Sequence, residues 1–420
     1  MRLIKCALTM LCILLGLTRV AAAQTTIELW TFLNPSDGDV RSKTLAEVIS
    51  SFEAANPGVK VKPTVMEWTE IGPALLRASA AQRVPDLTMM FSGVIAIHVA
   101  AKTIQPLDAY LAKWPKESLQ DIVILPSARD REGHVYGLPW ELRVAGVMYR
   151  KDLLDKAGLT PPKTLPELAE DAKKLGIAEG VGIAVGFSPT KPDAAMDWMI
   201  PTLIGMGAKP LNPDGSANFR TPEMKKLVTY VYDLVHTYKI VPLDVALQGD
   251  DQVQSFAEAG RTVFMPKMTH RLNFIRDKSN LGQNYQMMAS PTFDPEKPAP
   301  AYVQGWNLSI PRGAKSPEAA WKLIEHWTSK DIQVLQGTKA GYLPVRASAA
   351  ADPAFGAPAS AHIKWAQEYS AKYPLEFEWP TNISLLYTTL ARAVSTIISD
   401  RGKMDEALGA AEQAYNAGRK

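Results

Sequence analysis

The chain has 420 residues, 46% hydrophobic and 21% charged, and that length exceeds what one hydrophobic core ordinarily supports, so two domains are expected. The formal charge of +3 resides in residues 1–23: without Arg2, Lys5 and Arg19 there are 43 basic residues against 43 acidic, which argues against nucleic acid or an anionic membrane as a partner. Cys6 and Cys12 lie in the same segment and are the two cysteines of the chain, so residues 24–420 hold no disulfide, thiol nucleophile or thiolate metal site.

Residues 1–23 have the pattern of a cleavable secretory signal. Arg2 and Lys5 precede an apolar run, Leu8 to Leu17, and Ala21-Ala22-Ala23 supplies small residues for cleavage. The run is shorter than the roughly 20 residues a membrane span needs. Thr26 to Phe32 then reads as a strand, closed by the turn residues Asn34 to Gly38. A helix is predicted over Val40 to Ala54, stopped by Asn56-Pro57-Gly58, followed by a strand over Val59 to Met66 and a helix over Ile71 to Ala81. Leu87 to Phe91 is a third strand, ending at Ser92-Gly93. Strands alternating with helices imply βαβ units and a mainly parallel sheet.

The stretch from His134 to Gly158 joins this lobe to a second. Gly137 and Pro139 mark a turn, Leu142 to Tyr149 is apolar apart from Arg143, and Asp152 to Ala157 is a short helix with Gly158 as its C-cap. Further on, helices are predicted at Leu165–Leu175, Ala195–Gly205, Pro222–His236 and Asp250–Ala259, and strands at Val181–Phe187 and Thr262–Pro266. Gln286 to Ala289 leads back, Tyr302 to Ile310 forms a second crossing, and Gly341 to Arg346 a third. Helices at Ser316–Trp327, Leu385–Ile398 and Met404–Tyr415 complete the chain.

Several of these stretches, in this order, resemble the carbohydrate-type extracellular solute-binding proteins of ABC importers, the family of maltose-binding protein. They are FEAANPGVKV (Phe52–Val61), PDLTMMFSG (Pro85–Gly93), YGLPWELRVAGVMYRKDLLDKAG (Tyr136–Gly158), FAEAGRTVFM (Phe256–Met265), QGWNLSIPRGAKSPEAAWKLIEHW (Gln304–Trp327) and GYLPVR (Gly341–Arg346). The resemblance implies two α/β lobes, each a mainly parallel sheet flanked by helices, joined by three crossovers around a ligand cleft. It places the first lobe at residues 24–142 and about 287–341, and the second at 143–286 and about 342–420. It further implies a monomeric periplasmic receptor, acting with an inner-membrane ABC permease and its ATPase and requiring no cofactor.

The residues themselves offer no catalytic motif: there is no G-x-S-x-G, H-E-x-x-H or Walker A sequence, and no two of the six histidines stand at metal-ligand spacing. Acidic pairs occur at Asp250-Asp251 and Glu376/Glu378, but a glycosidase needs its carboxyls opposed across a cleft. The positive signal is aromatic. Ten tryptophans are present, many at strand or loop ends, and sugar C–H faces stack on indoles while hydroxyls bond planar polar groups. Trp306 at the second crossing is the leading candidate, with Asn307 beside it. Arg143, an arginine in an apolar strand, must be paired or face a cleft; Trp140 and Glu141 share its loop. Asp37, Trp68, Ser92 and Gly93 follow the first three strands. Asp193 and Trp198 start a second-lobe helix, His270 stands where relatives often show a tryptophan, and Tyr342 and Arg346 lie at the third crossing. The expected ligand is a small sugar, oligosaccharide or polyol. Arg143, Lys267, Arg271 and Arg346 leave an acidic or phosphorylated ligand such as a sugar acid or glycerol 3-phosphate open. A secreted carbohydrate-active enzyme is the rival from another class.

Overall fold

The computed structural model describes residues 24–177, 180–279, 281–377 and 379–419, so the signal-like segment and Glu378 lie outside the described residues. The first lobe begins with β1 (Thr25–Thr31), α1 (Val40–Ala55), β2 (Val59–Val65), α2 (Trp68–Ala80) and β3 (Leu87–Phe91). β1 lies between β2 and β3, parallel to both. Asp39 caps α1, its carboxylate accepting from the amides of Arg41 and Ser42, while Leu45, Val48 and Phe52 face the sheet.

β4 (Leu138–Arg150) is one strand of 13 residues running through both halves of the molecule. Its first part, Leu138 to Val144, pairs antiparallel with β8, and its second part, from Ala145, pairs antiparallel with β6 and β7. α3 (Lys151–Ala157) follows and ends at Gly158, whose φ of 66° is the left-handed conformation expected of a C-cap glycine. The second lobe adds α4 (Leu165–Leu175), β5 (Val181–Ile183), α5 (Asp193–Gly205), α6 (Pro222–His236), α7 (Asp250–Glu258), β6 (Thr262–Met268), α8 (His270–Lys278) and β7 (Tyr285–Met288). β8 (Val303–Ser309) then pairs with β3 and β4. α9 (Pro317–Trp327), α10 (Lys330–Ala340), α11 (Ala361–Lys372), α12 (Ile383–Ser399) and α13 (Met404–Gly418) finish the chain.

The strand order is β2-β1-β3-β8-β4-β6-β5, with β7 on the other side of β4. The architecture is the expected mixed α/β one. Parallel pairing is confined to the outer strands β1, β2, β3 and to β5–β6, whereas the strands that carry the chain between lobes run antiparallel. Two large cores lie on either side of the shared strand. One is built on Ile27, Leu29, Phe52, Trp140, Trp306 and Trp327, the other on Val147, Leu168, Trp198, Phe264, Leu390 and Tyr415. A small third cluster, including Val144, Ala301, Leu343 and Ile363, packs between them where the three connections run side by side. No helix among the described residues is long and apolar enough to cross a membrane.

Candidate functional site

The two halves touch around β4 and β8. Arg41, in the first turn of α1, lies over the ring of Phe274 on α8 at 4.2 Å. Gly93, after β3, is packed so closely that a Cβ there would stand 3.1 Å from Ile383 of α12. Gln304 of β8 donates to Asp197 of α5 at 3.1 Å.

Strand alternation sorts the crossing residues. Successive side chains of a strand point to opposite faces, so Tyr302, Gln304 and Trp306 share one face. Trp306 registers with Phe91 on one neighbour and Glu141 on the other. Its indole lies 4.3 Å from Phe32, 5.7 Å from Phe91 and 6.4 Å from Trp68, and only 3% of the residue is exposed. Trp68, at the start of α2, is by contrast 43% exposed and meets Trp306 edge-on.

Glu141 and Arg143, two residues apart on β4, pair with each other. Burial of the carboxyl raises its pKa above the ordinary value although Arg143 opposes this, and burial likewise lowers the guanidinium's. Tyr342 stands edge-on to Trp140, and burial next to Glu141 raises its phenol. Across the junction, burial and then Arg143, Arg271 and Arg41 hold His270 neutral, well below the usual histidine range. Lys267 contacts Asp250, and Arg271 forks onto Asp250 and Asp251. Asp197 accepts from Gln304 and from the Tyr387 hydroxyl at 2.7 Å, and Tyr302 stacks on Trp379 at 4.4 Å. Four buried polar atoms here have no hydrogen-bond partner among the described residues: Trp306 Nε1, Glu141 Oε2, Tyr342 Oη and His270 Nδ1.

The structure thus gathers Trp306, Glu141, Arg143, Tyr342, His270 and Asp193 at the junction, with Trp68 and Ser92 at its first-lobe side. Other sequence candidates lie elsewhere. Asn307 follows Trp306 directly and so occupies the opposite face, against Gly137. Trp140 sits at a register shift in β4 and backs the junction from within the first core, packed on Trp327 and Tyr342 and 6.4 Å from Phe32. Trp198 belongs to the second core, 6.5 Å from Phe187. Asp37 is exposed and accepts from Asn34 within a surface turn. Arg346 is carried by the extended third connection to the outer side of the first lobe, where it bonds the carbonyls of Thr328 and Ser118, pairs with Asp121 and covers the ring of Trp114. Gly93 serves the approach of Ile383, which explains its lack of a side chain without a ligand.

Arg41, Phe32, Gln304 and Tyr302 are junction residues that sequence reasoning missed. Tyr302-x-Gln304-x-Trp306 carried a signal, since a period of two puts all three on the face of any residue chosen there. Arg41 carried none, because a polar residue in a helix's first turn reads as a solvated one.

Residues 37–334 match the bacterial extracellular solute-binding protein family. A binding protein of Brucella abortus (strain 2308) is 26% identical over 301 residues, covering 71% of this chain and 72% of its own length. The mannitol-binding protein of Pseudomonas aeruginosa is 24% identical over 335 residues, 78% of this chain and 73% of that one. Maltose-bound MalE3 of T. maritima shares the fold at a TM-score of 0.80 and 22% identity, over 94% of this chain and 99% of that one.

Proposed function

The chain belongs to the bacterial extracellular solute-binding proteins, the solute-capturing components of ABC transporters, and on that premise we propose that it is a monomeric periplasmic receptor closing two lobes over an uncharged sugar or polyol. The lobes divide near residue 142, with returns at about 287 and 342, and residues 1–23 direct export. A permease with its ATPase receives the ligand.

One observation carries the choice of ligand. Each of the four cations that suggested an acidic guest is already matched by a carboxylate of the chain: Arg143 by Glu141, Lys267 by Asp250, Arg271 by Asp250 and Asp251, and Arg346 by Asp121. A phosphate or carboxylate would have to break one of these pairs, at a cost of several kcal/mol for buried charges. Among the described residues the junction's unpartnered atoms include an indole N–H, a phenol, an imidazole nitrogen and a carboxylate oxygen, and Phe32 and Trp306 put two aromatic rings 4.3 Å apart at its first-lobe side. Those are donors and acceptors for hydroxyl groups, set against an aromatic wall for C–H faces.

Binding shifts the hinge because the guest meets both lobes only when they are closed. A thermal-shift panel of neutral sugars, polyols, sugar acids and glycerol 3-phosphate tests the reading. A neutral compound at 100 times its Kd stabilises by about 2.7 kcal/mol through mass action. Stabilisation confined to the acidic compounds, or release of product from a glycan, would replace this reading.

A further inference from the structure

Asp197 has a setting that ligand capture does not by itself require. It sits on α5, in the second lobe, yet one of its two bonds reaches Gln304 on β8, at the point where β4 passes from one lobe's pairing to the other's. Both its bonds fall on one oxygen, Oδ1, from Gln304 and from Tyr387 of α12. No described cation forms an ion pair with it. Asp193, one helical turn away on the same face of α5, adds a like charge. Tyr302, the residue before β8, completes the ring of groups, bonded to both Gln304 and Tyr387. Lys267 of β6 exerts a weak pull on it, but its ammonium is taken by Asp250 of α7, and Arg271 of α8 is held by Asp250 and Asp251. A carboxyl that is 7% exposed, beside another carboxyl and without a counter-ion, is more stable with its proton on.

We infer that closing the two lobes over a guest is coupled to uptake of a proton by Asp197, so that affinity depends on pH around neutrality. The coupling rests on the hinge-closing receptor proposed above. With β8 drawn away from α5, the carboxyl meets water and ionises as an ordinary aspartate; with β8 in place it is protonated. Burial, with Asp193 next in weight, pushes the closed-form pKa up to about 8. A group whose pKa is raised on closing favours the closed form fully at low pH, and that preference disappears as pH rises through the higher value. His270 acts in the opposite sense. Arg41 and Arg143 of the first lobe and Arg271 and Lys267 of the second face it when the lobes meet, so it sheds a proton on closing below its ordinary range. The two changes offset each other in mildly acidic solution and leave net uptake between roughly pH 6.5 and 8.

The test is calorimetric titration of D-mannitol, and of maltose if D-mannitol gives no heat, at pH 7.5 in phosphate and in Tris. Because the buffers differ in ionisation enthalpy, net uptake of roughly two-thirds of a proton at pH 7.5 makes the two heats differ, and affinity at pH 8.5 falls about tenfold below that at 6.5. Asp197→Asn, which carries no proton to exchange, gives nearly equal heats in both buffers at pH 7.5 and an affinity that no longer falls over that range, leaving only the opposite, roughly twofold rise that His270 contributes. Should that variant fail to fold, Asp193→Asn serves instead: removing the like charge moves the fall in affinity to lower pH. Binding with identical heats in both buffers overturns the coupling alone and leaves the receptor standing. Heat from neither compound at any pH removes the neutral-guest reading, and the coupling with it.

Discussion

Two buried side chains that were both site candidates in the sequence, Trp306 and Arg346, have separable roles. Trp306 fills the angle between Phe32, Phe91 and Trp68, so replacing it with alanine removes part of the first core as well as an aromatic wall. The Trp306→Ala protein is expected to lose about 3–5 kcal/mol of stability and to show no ligand-induced shift in melting temperature. Arg346→Ala removes bonds to Thr328, Ser118 and Asp121 on the outer side of the lobe. It should cost roughly 1.5–3 kcal/mol while leaving the ligand shift at its full size. A ligand shift lost in the second variant would mean that Arg346 communicates with the junction. The apolar strand around Arg143 announced a charge in need of a partner, and Glu141 supplies it. That inference was available from the sequence because a lone buried charge is so costly. Arg346 offered no such clue, since an arginine on an extended connection can be carried to either side.

At the scale of elements, β4 and β8 are the parts on which the rest turns. Thirteen residues of β4 serve two sheets, and the strand stays continuous because its two halves find hydrogen-bonding partners on different neighbours. Gly305 keeps the two strands in register at the crossing: a Cβ there would stand 2.4 Å from the carbonyl oxygen of Glu141, a backbone atom that cannot swing aside. Gly305→Ala should therefore push β8 off β4, lowering stability by about 1–3 kcal/mol and weakening binding together with it. Unchanged denaturant midpoint and affinity would show that the strands tolerate separation. The helices that pattern and caps predicted, such as α1 behind Asp39 and α4 behind Thr164, formed where expected because both signals are local. α10 escaped notice because three of its five buried residues, Gln333, Gln336 and Gly337, are not apolar, so no clear hydrophobic period marks it.

For the whole molecule, the contact between Arg41 and Phe274 matters because it joins the halves without any guest. Arg271 lies over the same ring at 5.5 Å, so Phe274 is held between a cation of each lobe. A cation–π contact of this kind contributes about 0.5–2 kcal/mol. Arg41→Ala should accordingly weaken every neutral ligand by roughly two- to thirtyfold, without changing their order, and should enlarge the radius of gyration measured by small-angle scattering at sub-saturating ligand. A change in the ranking of ligands would instead make Arg41 a direct contact. The sequence by itself determined the alternation of strands and helices and that Arg143 must be paired or face a cleft. These follow from periodicity, turn chemistry and the cost of burying charge, all of which act over a few residues, whereas the two lobes were expected from chain length and from the resemblance to solute-binding proteins. Only the tertiary structure decided which tryptophans reach the junction and which lie wholly inside a core, and that Asn307 and Arg346 face away. Those outcomes depend on contacts between residues far apart in the chain, such as Trp306 with Phe32 and Arg346 with Asp121, and no local pattern encodes which distant side chain will be opposite.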